Sequence, residues 1–139
     1  MKNELEQLLI GKKIGTGMHR TTYECRLNHK WVVKIADDER MGRGANCLEY
    51  KIWQEIQYTS EAKRFAPCLD ISEGGKYLLQ ERAELGRKKD YPAKIPAYFT
   101  DIKMSNFGFI GKNFVCVDYG SLLIWKEIGG KKLKKVIWD

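Results

Sequence analysis

A carboxylate stands in the middle of an apolar helical face. From Ala45 to about Thr59, apolar residues recur at Leu48, Ile52 and Ile56, with Trp53 beside them. That spacing predicts an amphipathic helix with one buried stripe. At about 100° per residue, Glu49 falls ~60° from Ile52, ~20° from Ile56 and ~40° from Trp53, inside the stripe, whereas Glu55 falls roughly 120° from Glu49, on its flank. An ionised carboxylate taken out of water requires a cationic or hydrogen-bonding partner. Any fold for this chain must therefore bring one to Glu49, unless the helix is shifted in phase and Glu49 faces solvent.

The sequence before the helix offers that partner. Val32-Val33-Lys34-Ile35-Ala36 places one charge inside a β-branched strand. Residues 3–9 read as one or two helical turns. Gly11 opens a strand interrupted by Gly15-Thr16-Gly17, Thr21 to Leu27 returns, Asn28-His29 turns, and Lys30 to Ala36 is a third strand. Asp37 to Gly44 is polar and breaks the pattern. Pro67 to Ile71 and Lys76 to Glu81 bracket the turn Glu73-Gly74-Gly75, which brings the expected antiparallel sheet to five strands. A Lys held by Glu49 would fix an ammonium against nucleotide phosphates; a Lys pointing outward from a half-buried strand is the plainer alternative. Gly15 and Gly17 would let backbone N–H groups approach phosphates closely, although a tight hairpin turn accounts for them equally well.

The 139 residues suffice for one domain with a core and not for two. With 43% hydrophobic and 31% charged residues, the chain lacks the charge-rich, apolar-poor profile of disorder. Cys25, Cys47, Cys68 and Cys116 form no CxxC pair, so a zinc site is not expected. No leader-like apolar stretch and no membrane-length apolar run occurs, which points to a cytoplasmic protein with reduced thiols and no membrane partner. The net charge is +7, carried as 14 basic against 12 acidic residues in 1–83 and 11 against 6 in 84–139. Such a bias suits an acidic partner, a polyphosphate or nucleic acid alike.

Beyond Arg82 the chain turns polar and basic through Gly86-Arg87-Lys88-Lys89-Asp90, and Pro92 and Pro96 disfavour a long helix before Asp101. This marks a junction between a lobe at 1–82 and a stub at 83–139. Phe107 to Ile110 and Phe114 to Val117 read as a hairpin around Gly111-Lys112-Asn113. A second is expected around Gly129-Gly130, between Leu122 and Val136. It sets Lys126, Lys131, Lys132, Lys134 and Lys135 beside Leu122, Leu123, Ile124, Trp125, Val136, Ile137 and Trp138. It would be either a paired edge covering the stub or a basic docking surface.

The most specific pattern is Asp101-Ile102-Lys103-Met104-Ser105-Asn106 followed, after the first hairpin, by Asp118-Tyr119-Gly120. With Gly15, Gly17, Lys34 and Glu49 in order before it, the chain over residues 10–120 resembles the protein kinase superfamily, whose catalytic loop reads D-x-K-x-x-N and whose metal-binding triplet reads D-F-G. The resemblance implies an α+β fold, with a nucleotide-binding lobe of five antiparallel strands and one main helix and a much reduced second lobe of catalytic loop and hairpins. It implies ATP and Mg2+ as cofactors, Asp101 as catalytic base, Lys103 on the transferred phosphate, and Asn106 and Asp118 as metal ligands. Gly15, Gly17, Lys34 and Glu49 would serve the phosphates, and the backbone of Glu81 and Ala83 the adenine.

The chain departs from that family in three places. Arg20 stands where the phosphate loop has its third glycine. Phe99-Thr100 replaces the His-Arg before the catalytic Asp, and only 19 residues follow Gly120, with no activation segment or peptide-binding helices. The compactness resembles small kinase-like proteins of bacterial viruses and prophages. The functions implied are a minimal ATP-dependent phosphotransferase acting on a protein or small hydroxyl acceptor, or a pseudokinase-type module that engages or inhibits a host protein through its basic C-terminal part. A small basic nucleic-acid-binding protein ranks last, because it leaves Glu49 and the Asp101, Asn106 and Asp118 set without a role.

Overall fold

Strand-forming segments on either side of one long helix dictate the architecture, which the computed structural model describes for residues 4–120 and 131–139. After a short helix α1 (Glu4–Leu9), strands β1 (Ile10–Thr16), β2 (Arg20–Cys25), β3 (Trp31–Ala36), β4 (Cys68–Ile71) and β5 (Tyr77–Glu81) form an antiparallel sheet in the order β1-β2-β3-β5-β4. Helix α2 (Met41–Ile56) is the one main helix. The class is α+β, with the five strands expected from the sequence.

The helix starts earlier than its apolar periodicity announces. It runs from Met41, not Ala45, and ends at Ile56. Asp38 supplies the reason: its carboxylate accepts from the backbone N–H groups of Met41 at 2.6 Å and Gly42 at 3.0 Å, satisfying two orphan donors of the first turn. Gly42 then permits close packing, since a Cβ there would lie 2.4 Å from the His19 carbonyl oxygen.

Register decides which side chains face α2. Arg20 is opposite Ala36, Thr22 opposite Lys34, Val32 opposite Gln80 and Lys34 opposite Leu78. Residues directly opposite one another share a face, as do alternate residues along a strand, so Arg20, Lys34, Leu78 and Gln80 all point to the helix side. Leu78 is fully buried there beside Ile52 and Ile56. On the other face, α1 and the strands enclose a groove of about 390 Å³ lined by Leu5, Leu9, Val33, Ile71, Tyr77 and Leu79 among others.

The second half builds on short strands and aromatic rings. Strands β6 (Lys94–Pro96), β7 (Phe107–Ile110), β8 (Asn113–Cys116) and β9 (Leu133–Lys135) form two pairs, β7 with β8 and β6 with β9. Of the hairpin expected at 122–136, the described arm, β9, pairs with β6, more than thirty residues earlier, in the register Lys94–Lys135, Ile95–Lys134 and Pro96–Leu133. Trp138 explains the choice. Its indole N–H donates to the Pro92 carbonyl at 2.7 Å and its ring meets Tyr91, Phe107 and Phe114 edge-on. Leu122, Leu123, Ile124, Trp125, Lys126 and Gly129-Gly130 lie outside the described residues.

One hydrophobic cluster unites the halves, joining Ile52, Ile56, Phe65 and Leu78 to Tyr91, Phe99, Phe107, Tyr119 and Trp138. Backbone bridges reinforce it: Ala66 N–H donates to the Cys116 carbonyl at 2.9 Å, and Glu84 and Phe109 exchange both of their hydrogen bonds at 2.8 Å. Among the described residues no helix is long and apolar enough to cross a membrane, and all four cysteines are free thiols.

Candidate functional site

Glu49 has the environment its helical phase demands. Its side chain is wholly buried, while Glu55 is exposed. Five N–H groups converge on the carboxylate. Lys34 Nζ at 2.8 Å and Arg20 Nη1 at 2.7 Å donate to Oε2. The backbone N–H groups of Tyr119 at 2.6 Å and Gly120 at 3.1 Å, with Arg20 Nη2 at 3.5 Å, donate to Oε1. Burial alone would push the Glu49 pKa up. Arg20 first and Lys34 second outweigh it, so the carboxyl is held ionised, well below the usual carboxylate range.

This arrangement joins three separate pieces of the chain. Lys34 also donates to the carbonyl of Val117, and Gly120 lies so near α2 that a Cβ would sit 2.4 Å from the Ala45 carbonyl oxygen. The segment Asp118-Tyr119-Gly120 is thus pinned against the sheet and helix by Glu49. Tyr119 adds an anchor that a phenylalanine lacks: its hydroxyl donates to the Ala66 carbonyl at 2.7 Å and lies 3.3 Å from Cys68 Sγ. Burial keeps that phenol protonated, with its pKa well above the usual range. The Cys68 thiol is pushed up to about 12, by burial first and by Glu49 next.

Sequence reasoning named Lys34 as the partner of Glu49 and missed the larger contribution of Arg20 and the buried Asn46 that holds Arg20 in place. Arg20 is bonded to Glu49, to Asn46 Oδ1 at 3.0 Å and to Asp118 Oδ1 at 2.5 Å. Its side chain is only 10% exposed. Burial opposes its charge, and Glu49 and Asp118 outweigh that opposition, holding its pKa above the ordinary arginine value. Asn46, also fully buried, donates to the carbonyls of Gly75 at 2.9 Å and of Lys34 and Lys76 at 3.2 Å each. A signal for Asn46 existed, since it lies three residues before Glu49, about 60° away on the same stripe. Arg20 was visible only as a replaced glycine, because the expected return strand began one residue too late, at Thr21.

The remaining candidates gather unevenly. Asn106 is buried, and its side-chain amide donates to the Asp101 carbonyl at 2.9 Å while its own carbonyl accepts from Val117 N–H at 2.8 Å. Asp101 and Asp118 are brought together in this way and line one small indentation with Thr100 and Phe99. Both are exposed. Lys103 is exposed as well and makes no side-chain hydrogen bond or ion pair among the described residues. Glu81 N–H is taken by the Pro67 carbonyl at 2.9 Å, whereas Ala83 N–H has no partner among the described residues.

Gly15 and Gly17 both lie outside the positive-φ region, and a Cβ on Gly15 would meet nothing within 4 Å. The fold itself does not demand glycine at that position. Gly17 N–H is consumed inside the turn by the Arg20 carbonyl at 2.8 Å, so it is not free to meet an anion.

The magnesium ion that the resemblance implies would draw on Asn106 and Asp118. One oxygen of Asp118 is already answered by a guanidinium, and among the described residues no three His, Cys, Asp or Glu side chains come together. Magnesium bound with a nucleotide takes one or two protein carboxylates beside phosphate and water, and here the one carboxylate of the set is already paired with Arg20, so the donor set does not fit it. Compared with protein-family models and with curated proteins, the chain matches none.

Proposed function

We propose that this chain is a minimal kinase-like protein that binds ATP and acts as a phosphotransferase on a protein or small hydroxyl acceptor. The observation that carries the reading is the buried Lys34–Glu49 pair, locked at the same time to the backbone of Tyr119 and Gly120. A core has little use for such a costly charge cluster unless it presents something. Here it presents the Lys34 ammonium, which has three N–H donors and uses two, on Glu49 and on Val117. The third would meet a phosphate oxygen. The Ala83 N–H, without a partner among the described residues and beside the backbone of Glu81, would meet the adenine edge. Gly15 would allow the nucleotide to approach the β1–β2 turn. Asp101, its main chain fixed by Asn106, would accept the proton of the attacking hydroxyl, with Lys103 nearby in sequence to answer the transferred phosphoryl charge.

A second reading, a pseudokinase-type module that binds a host or other cellular protein through its basic C-terminal part, is favoured by the Arg20–Asp118 pair. That pair neutralises a carboxylate that phosphoryl transfer would use. A thermal-shift titration with ATP separates the possibilities, because a ligand selective for the folded state stabilises it by about 2.7 kcal/mol at one hundred times Kd. Tm rises in the wild type, the rise is lost in Lys34→Met, and Asp101→Ala keeps the rise while losing transfer of labelled phosphate. No rise in the wild type ends the ATP reading. A rise without transfer to itself or to host lysate selects the second.

A further inference from the structure

We propose that Arg20 takes the place of a divalent cation at Asp118, so that this chain binds its nucleotide without magnesium. The inference rests on the ATP reading above and deepens it. Three observations carry it.

The guanidinium is held from behind before it reaches Asp118. Nη1 is shared between Asn46 Oδ1 and Glu49 Oε2, and Nη2 reaches Glu49 Oε1 and Asp118 Oδ1. A planar fork fixed on one side by a buried carboxylate and a buried amide cannot leave the other carboxylate without stripping partners from both. This differs from a surface arginine that happens to meet an acid, since its side chain is only 10% exposed.

The local charge is already balanced. Arg20 and Lys34 face Glu49 and Asp118, two cations against two anions. A dication arriving with the nucleotide's phosphates would have to share Asp118 with Arg20, or would expel Arg20 and leave Asn46 Oδ1 without its donor. Either route carries a desolvation or hydrogen-bond cost. Part of what a metal does at such a carboxylate is to keep it from repelling phosphate, and Arg20 supplies that part here.

The register makes the arrangement structural. Arg20 begins β2 opposite Ala36, on the same face as Lys34. Its guanidinium is therefore delivered to the site by the strand ladder rather than by a free loop.

The test is the affinity of the full chain for ATP, measured by titration calorimetry in magnesium buffer and in EDTA. The wild type binds with Kd values within about threefold of each other, while Arg20→Gly binds at least ~tenfold more tightly with magnesium than without. Arg20→Lys keeps a cation against Glu49 but cannot fork to both carboxylates, so it too gains magnesium dependence, and it reports if the glycine variant fails to fold. Wild-type binding that is tenfold or more tighter with magnesium overturns this inference and leaves the ATP reading intact. Arg20 variants as indifferent to magnesium as the wild type also overturn it. Absence of ATP binding in both buffers overturns the ATP reading and this inference with it.

Discussion

The wedge between α2 and the sheet and the clasp around Trp138 are both buried, yet they are held by opposite means. In the wedge, Arg20, Lys34, Asn46 and Glu49 are charged or polar and almost wholly enclosed, and each depends on several named partners. In the clasp, Tyr91, Phe107, Phe114 and Trp138 meet ring to ring at centroid distances of 5.0–5.9 Å, with few polar obligations. Rings bury large area within a half of the molecule built on short strands. Charges are a poor way to gain stability. Their presence in the wedge points to use, and their absence from the clasp points to support alone.

The sharpest way to break this contrast is to remove the centre of the wedge. Glu49→Ala leaves Arg20 and Lys34 as buried cations and the N–H groups of Tyr119 and Gly120 unpaired, and the expected loss is about 3–5 kcal/mol, read by denaturant unfolding. A loss under about 1 kcal/mol would mean that the network is decorative. Trp138→Ala tests the clasp and costs about 3 kcal/mol. Because the ring carries no charge into the site, the ATP affinity proposed above is expected to stay unchanged in the surviving folded fraction. If affinity and stability fall together, the two regions are not separable.

Acid distinguishes them next. The folded-state pKa of Glu49 is depressed, so its contribution is complete above the ordinary glutamate range and is lost as pH falls through that range toward the folded value. Acid unfolding of the wild type should therefore be shallower in Glu49→Gln, which has no charge to lose. Identical pH profiles would remove Glu49 as the source. The loss on protonation is smaller than on deletion, since a neutral carboxyl still accepts from Tyr119 and Gly120.

The smallest stability effect is expected at the β1–β2 turn. Gly15→Ala changes stability by no more than about 0.5 kcal/mol, because the new methyl meets nothing within 4 Å. If the nucleotide approaches there, its affinity nevertheless falls. Unchanged affinity would assign Gly15 to turn geometry only.

Much of this was legible in the chain. β-branched segments between turn residues and a 3.6-period helix located the sheet and α2, and the position of Glu49 within the apolar stripe demanded a cation that Lys34 supplies. The β7–β8 hairpin followed from two apolar runs around Gly111-Lys112-Asn113. The start of α2 was hidden because capping by Asp38 overrides the glycines and polar residues of 37–44. The pairing of β9 with β6 was hidden because it spans more than thirty residues, and local pattern carries no information about such a partner.

The sequence by itself determined that a buried carboxylate would need a cation, since helical phase is a local property of the chain. Only the tertiary structure decided that two cations answer it and that one of them, Arg20, also answers Asp118. That outcome depends on strand register, where a shift of one residue turns a side chain to the opposite face, and on the packing of Gly120 against α2 that brings Asp118 within reach of β2.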